Sequence, residues 1–336
     1  MSRTRPGRPS ADRAPLPSTG ASPAPDRPPA RTAHPPSRTP GPSTVVRIEA
    51  GVADPPEHLF RRLLAAYLGG ADALELVERP RVSAGTREIV REFCRRTDGG
   101  QLLLERGETL EIVASERHAP RRLDERLLAL GHQVLEFQRE AVASWGSLPL
   151  EDDGAWERRD DAIDREAWRL ERSLARTSRD DPTEEVAAVA TAWTIARSLE
   201  RIADHAVTLG EVGPRLADGG PAGVPLRELR QFHAQAMRHL EEVLRTPDAP
   251  RANDLLDVGE ALLTGGRALS ETLLPDLSER AMAPATAAAV ARAFEAISRT
   301  VAYGQDIAQA FLDRALRAAP ATQGGERSSR TAPVAS

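Results

Sequence analysis

Residues 186–209 read VAAVATAWTIARSLERIADHAVTL, and this stretch decides the fold class of the chain. Most of its larger apolar residues recur three or four positions apart, which is the spacing that gathers side chains on one face of a helix. The members of this face are Val189, Trp193, Ile195, Leu199, Ile202, Ala206 and Leu209. The stretch therefore predicts one long helix of a bundle, beginning near the cap-like residues Asp181, Pro182 and Thr183.

Five further helical stripes lie on either side of this helix. Two precede it and three follow it, and a Gly/Pro-rich stretch at 213–225 separates the first three helices from the last three. The ranges of the five stripes are 123–141, about 152–176, 226–244, 252–274 and roughly 285–318. A mainly α fold of long packed helices follows from this pattern.

The two groups of three helices resemble one another in sequence. Residues 160–164 (DDAID) correspond to 253–257 (NDLLD), and residues 199–205 (LERIADH) correspond to 297–303 (ISRTVAY). The offsets are similar, so a doubled three-helix unit describes the chain better than six unrelated helices. The predicted bounds of the two repeats are 121–212 and 225–318.

Residues 44–116, which precede the helices, predict a small α/β module. Their periodicity changes from strand to helix and back, which is typical of such modules. The predicted order is βαβαββ, with strands near 45–48 and 74–76, helices over 60–68 and 89–93, and a hairpin around Gly107.

Two tails flank these folded parts. The first 43 residues hold twelve of the 27 prolines and seven arginines, a composition that cannot bury a core and predicts a disordered basic tail. Residues 319–336 predict a second disordered tail. The net charge of the whole chain is −5. Because the first tail is basic, the folded part must be more acidic than the whole chain, which argues against nucleic acid as a partner.

The location of the protein is indicated by its cysteine content and hydropathy. Cys94 is the single cysteine, so no intramolecular disulfide can form, as is usual in a reducing cytosol. No stretch approaches the roughly 20 apolar residues that a membrane helix needs. We expect a cytoplasmic protein without a transmembrane segment.

Acidic residues border the apolar seams of the second and third helices of the first repeat. Glu157, Asp160 and Asp164 share one helical face, and Glu200 and Asp204 lie four apart on the next helix. Carboxylates crowded in this way must protonate, pair with arginine or bind a cation. Two interpretations stay open: a site for a multivalent cation, with His205 as a further ligand, or ion pairs with nearby arginines.

Enzyme chemistry is not supported by the sequence. The Gly-Gly pairs match no phosphate-binding loop, and no Ser/His/Asp order or pair of catalytic carboxylates stands out. We therefore expect no catalytic residues and no organic cofactor.

The stretch 196–206 (ARSLERIADHA), together with Glu157, Asp160 and Asp164, resembles the signature of the PhoU family of phosphate-uptake regulators. The resemblance covers about 121–318. It implies two three-helix repeats, each with a Glu/Asp-x-x-x-Asp pattern that carries a multinuclear cluster of divalent or trivalent metal ions such as iron, zinc or magnesium.

The chain departs from the family pattern in two places. Residues 60–68 are similar to the segment that joins an AbrB-like DNA-binding domain to the bundle in archaeal-type members. The Pro/Arg-rich tail stands where that domain would be, so we expect neither the domain nor direct DNA binding. In the second repeat Asn253, Ser298 and Ala302 replace Asp160, Glu200 and Asp204. We therefore expect a single metal cluster, in the first repeat, bound by Glu157, Asp160, Asp164, Glu200, Asp204 and His205.

The resemblance also implies a function. It is that of a negative regulator of phosphate uptake and phosphate homeostasis, which forms a homodimer and contacts a phosphate ABC transporter, a signalling partner such as a sensor kinase, or both, at the inner face of the membrane. The alternative is a helical scaffold or dimerisation module without metal, for example a transcription regulator that has lost its DNA-binding domain.

Overall fold

The computed structural model describes residues 44–51, 54–114, 123–146, 154–180, 186–217, 223–245, 249–279 and 283–318. Both predicted tails, 1–43 and 319–336, lie outside these ranges, as does the predicted cap at Asp181, Pro182 and Thr183.

A four-stranded sheet with two helices forms the first part of the fold. Its strands are β1 (Val45–Ala50), β2 (Ala73–Glu78), β3 (Gly100–Arg106) and β4 (Thr109–Ala114), and its helices are α1 (Pro56–Leu68) and α2 (Ala84–Arg96). The strand order is β1-β2-β4-β3; β1 and β2 are parallel, and the other two pairs are antiparallel. The predicted βαβαββ order is confirmed.

Local sequence explains where these elements begin and end. After α1 the chain turns at Gly70, whose φ of 83° suits glycine, and the β3–β4 hairpin turns at Gly107, whose φ is 54°. Ser83 caps α2 by accepting a hydrogen bond from the Thr86 amide at 3.1 Å. The apolar faces of α1 and α2 then bury Leu63 and Phe93 in the core of this module.

Six long helices follow the sheet in the predicted order. They are α3 (Leu123–Ala143), α4 (Ala155–Asp180), α5 (Val186–Ala217), α6 (Gly223–Arg245), α7 (Ala249–Glu279) and α8 (Pro284–Ala318). The fold is therefore mainly α with a small α/β module in front, as predicted.

The end of α5 differs from the expected break at 213–225. The helix continues through Gly213 and Pro214 to Ala217. Pro214 can donate no backbone hydrogen bond, but Val212 and Leu216 on either side of it are buried in the core. Burial of this last turn outweighs the loss of one hydrogen bond.

One hydrophobic core is shared by all six long helices. Helix α5 packs on α3 and α4, α8 packs in the same way on α6 and α7, and α5 and α8 pack on each other. The rings of His205 and Tyr303, which occupy equivalent positions in the two halves, stack across the α5–α8 contact with centroids 5.9 Å apart. The two halves are thus joined through their third helices rather than through a thin linker.

Helix α4 also carries the α/β module. Arg172, which is 1% exposed, donates hydrogen bonds to the carbonyl oxygens of Tyr67 and Ala114 at 2.8 and 2.9 Å. Arg176 pairs with Asp72 at 2.6 Å, and Trp168 is buried in the core of the module. The first half of the bundle is therefore covered on its α4 side by the module.

Candidate metal centre

The carboxylates of α4 and α5 meet where these two helices pack. Ile163 and Ala167 of α4 and Leu199 of α5 are buried in the shared core. Asp160 and Asp164 lie beside this seam on α4, and Glu200 and Asp204 lie beside it on α5. The helical spacing of four residues places each pair on one face of its helix.

The pKa values of these side chains reflect both their burial and the charges of the other acids. Burial raises the pKa of Asp160 to about 8, and the negative charges of Asp164, Asp204 and Glu200 add to the effect. Burial also raises the pKa of Glu200 to about 7, again with help from Asp204 and Asp164. Desolvation raises the pKa of Asp204 as well, although the nearby Arg201 opposes the shift and the residue lies at the exposed rim.

Three oxygens of this carboxylate cluster, defined as Asp160, Asp164, Glu200 and Asp204, are buried without a hydrogen-bond partner in the described part of the chain. They are Asp160 Oδ1, Asp164 Oδ1 and Glu200 Oε2. The last of them has Arg201 Nε at 3.8 Å, beyond hydrogen-bond distance. A buried carboxylate oxygen that lacks a partner is costly, so the cluster favours binding either protons or cations.

Arg96 supplies positive charge from outside the bundle. It lies at the end of α2, and its Nη2 is 3.0 Å from both Asp161 Oδ1 and Asp164 Oδ2. Burial raises the pKa of Asp164 to about 6, and Arg96 is the largest influence that opposes this rise. The sequence analysis missed Arg96, because it is 68 residues from Asp164 and no periodicity connects the two.

Glu157 and His205 are placed differently from the four clustered acids. Glu157 lies one turn before Asp160 with its side chain exposed. His205 is directed to α8, where it stacks on Tyr303, and burial together with the positive charge of Arg299 lowers its pKa. One residue advances a helix by about 100°, which is why His205 faces away from Asp204. The structure therefore gathers four of the six predicted ligands, and the metal-binding role of all six stays a prediction.

The fit of the cluster to a metal ion depends on its donor atoms. Carboxylate oxygens are the ligands that hard multivalent cations prefer, and the three buried oxygens without a hydrogen bond provide them. Within the described ranges no group of three or more His, Cys, Asp or Glu side chains is arranged to hold an ion in the observed conformation. Mutual repulsion separates like charges, so we expect these side chains to rotate towards a cation when one binds.

One known protein family matches the part of the chain that contains this cluster. Residues 129–212 match the family model described as the PhoU domain. No curated protein and no solved structure matches the chain significantly. The matched segment runs from within α3 to near the end of α5 and includes all six predicted ligands. Across the described residues, every helix is too short or too polar to span a bilayer.

Proposed function

Because residues 129–212 match the PhoU domain, we propose that this protein regulates phosphate uptake and phosphate homeostasis. The observation that carries the proposal is the position of the carboxylate cluster, which lies inside the matched segment and combines buried oxygens that lack a hydrogen bond with strongly raised pKa values. The protein acts by binding, with no catalytic step.

In this proposal the carboxylate cluster holds a divalent or trivalent metal ion between α4 and α5. Asp160 and Asp164 bind from one helix, and Glu200 and Asp204 bind from the other. When bound, the metal supplies positive charge that neutralises the clustered acids. The residues contribute by holding two helices in one relative position, which braces the surface that a partner recognises.

The proposed partner is a protein at the inner face of the membrane. We expect a phosphate ABC transporter, a sensor kinase or both, and we expect the protein to act as a homodimer that restrains uptake when phosphate is abundant. These expectations follow from the PhoU domain, whose family regulates phosphate transport.

A helical scaffold or dimerisation module without metal is the second candidate. It is favoured by the ion pairs of Arg96 with Asp161 and Asp164, which neutralise part of the acidic charge without any metal. Under this alternative the raised pKa values reflect buried acids that hold protons, and metal removal has no consequence.

Phosphate uptake in a deletion strain separates the two candidates. The strain is grown in excess phosphate and complemented with the wild type, with Glu200→Gln/Asp204→Asn, or with the matched control Asp254→Asn/Asp257→Asn. Asp254 and Asp257 are exposed acids of α7 that correspond to Asp161 and Asp164 of α4, so their double substitution removes the same amount of charge outside the carboxylate cluster. We expect the wild type and the control to restrain uptake and the Glu200/Asp204 variant to fail.

The outcomes have distinct meanings when each variant is shown to fold and accumulate equally. Full complementation by the Glu200/Asp204 variant contradicts a functional metal site and favours the scaffold. Unchanged uptake in the deletion strain itself contradicts the regulation of phosphate uptake. Metal content of the purified protein, measured by mass spectrometry, then shows whether the carboxylates bind metal at all.

A further inference from the structure

Arg96 is a cation that the fold itself brings to the carboxylate cluster. It belongs to α2 of the α/β module, whereas the acids that it contacts belong to α4 of the bundle. Its Nη2 lies 3.0 Å from an oxygen of Asp161 and 3.0 Å from an oxygen of Asp164. One guanidinium group thus contacts two acids one turn apart.

The position of Arg96 is held by packing as well as by charge. Its guanidinium carbon lies 5.5 Å from the ring centre of Phe60 and 5.2 Å from that of Trp168. The aromatic faces and the two carboxylates surround the cation, and its side chain is 28% exposed. Arg96 is therefore part of the interface, unlike Arg95 beside it, whose side chain is 66% exposed.

We infer that Arg96 is a built-in counter-cation that competes with a metal ion for Asp164 and so sets the metal affinity of the carboxylate cluster. The inference rests on the proposed function, because it concerns the same cluster. Asp164 is the member that belongs both to the cluster and to the Arg96 ion pair, and its side chain is 8% exposed. Charge at such a desolvated position is poorly screened by water.

Competition follows from the sign and the distance of the charges. A metal ion bound by Asp164 stands within a few ångströms of the guanidinium and is repelled by it. Binding must therefore weaken the contact of Arg96 with Asp164, and by thermodynamic linkage the contact must weaken metal binding by the same factor. The module remains attached in either state, since Arg172 and Arg176 hold it elsewhere on α4.

The first test measures metal affinity of the full chain by isothermal titration calorimetry with Mn²⁺ and with Zn²⁺ at pH 8. Arg96→Gln keeps much of the length and polarity of the side chain but removes its charge. We expect it to bind each metal roughly tenfold more tightly than the wild type, or more. Arg96→Lys retains the charge and should stay close to the wild type.

Arg95→Gln is the matched control for a general change of charge. Arg95 lies on the same helix and pairs with Glu92, which does not belong to the cluster. Its substitution should change metal affinity by less than about twofold, because exposed charges are well screened. A gain equal to that of Arg96→Gln would overturn the specific role of Arg96.

The remaining outcomes separate this inference from the proposed function. Equal affinities of the wild type and Arg96→Gln overturn the counter-cation role and leave the metal site standing. Binding by Arg96→Gln alone supports the counter-cation role and contradicts metal binding by the natural protein. If neither binds more metal than an Asp160→Asn/Glu200→Gln variant, both the metal site and this inference are wrong.

Hydrogen exchange on the wild type gives an answer even if an Arg96 variant folds poorly. Saturating Mn²⁺ should speed amide exchange near the end of α2, around Phe93 to Thr97, because the metal releases the anchor that Arg96 provides. Exchange around Gly70 and Asp72, where Arg176 holds the module, should stay the same. Unchanged or slower exchange at the end of α2 in the metal-bound protein would overturn the inference.

Discussion

The α4–α5 surface and the α7–α8 surface occupy corresponding places in the two repeats, but they differ in what covers them. Asp160 is half-buried and Asp164 is buried, whereas Asn253 and Asp257, their counterparts on α7, are exposed. The α/β module packs on α4. Arg172 lies eight residues after Asp164, and Gly265, with open space around it, lies eight residues after Asp257.

This difference indicates that the raised pKa values on the α4–α5 surface depend on burial as much as on the number of acids. Burial is the largest cause of the raised pKa of Asp160, Asp164 and Glu200, and the charges of neighbouring acids come second or later. On the α7–α8 side no acids cluster at the equivalent positions, since Ser298 and Ala302 replace Glu200 and Asp204. An exposed carboxylate stays hydrated, so its charge does not have to be neutralised by a proton or a metal ion.

The largest expected effect is that of removing the anchor of the cover. Arg172→Ala removes the buried hydrogen bonds that the guanidinium donates to the carbonyl oxygens of Tyr67 and Ala114, together with a cation–π contact with Tyr67 at 4.7 Å. We expect a loss of about 3 kcal/mol or more in the free energy of unfolding, measured by urea denaturation. Gly265→Ala is the matched change on the open surface and should alter stability by less than about 1 kcal/mol. Equal losses of stability in the two variants would contradict a stabilising role for the contacts between Arg172 and the module.

The packing beneath the two surfaces gives the next largest effect. Gly210 of α5 faces Trp156, and a Cβ there would lie 2.4 Å from an atom of the indole ring. The equivalent residue of α8 is Ala308, which is also buried. Gly210→Ala should destabilise the protein by about 1–3 kcal/mol because the ring must move.

The reverse exchange provides the comparison for that prediction. Ala308→Gly should cost about 1 kcal/mol, since it lowers helix propensity and removes one buried methyl group. Thermal unfolding of both variants checks the pair. A stabilising effect of Gly210→Ala, the usual result of Gly→Ala in an open helix, would contradict the tight contact between α4 and α5.

The third prediction concerns pH. The pKa of Asp160 is about 8 in the folded chain and near 3.8 when unfolded, so the folded state holds more protons between these values. Stability of the metal-free protein must then fall as pH rises through this window. Asp160→Asn removes the penalty and should be more stable than the wild type at pH 8 by about 1 kcal/mol or more, and no more stable at pH 4.

Urea denaturation at several pH values with a chelator measures this effect. Asn253→Asp places the same acid on the open surface, where it should leave the pH dependence of stability unchanged because the site is exposed. If the wild type and Asp160→Asn show the same pH dependence, burial does not raise the pKa of Asp160 as described.

The smallest expected effect is at His205. Its ring stacks on Tyr303 rather than facing the carboxylate cluster. His205→Gln should therefore change Mn²⁺ affinity by less than about twofold, measured by calorimetry beside Asp160→Asn as the variant that loses binding. A tenfold loss of Mn²⁺ affinity in His205→Gln would indicate that His205 is a metal ligand.

Local sequence signals predicted a large part of this architecture. Strand alternation and turn glycines identified the βαβαββ module, and helical stripes identified six long helices. The spacing of four between Glu200 and Asp204, and between Asp160 and Asp164, correctly placed each pair on one helical face. The predicted break at Gly213 was wrong, because local propensity for a turn at Gly213-Pro214 was overridden by burial of Leu216.

The sequence by itself determined the helices, their order, the doubled plan and which acids share a helical face, because all of these depend on residues close together in the chain. Tertiary structure alone decided that Arg96 meets Asp164, that His205 turns to Tyr303, and that the module covers α4 and leaves α7 open. These contacts join distant residues through packing. Desolvation and charge at the cluster depend on that packing, so its chemistry could be suspected from spacing but only established by the fold.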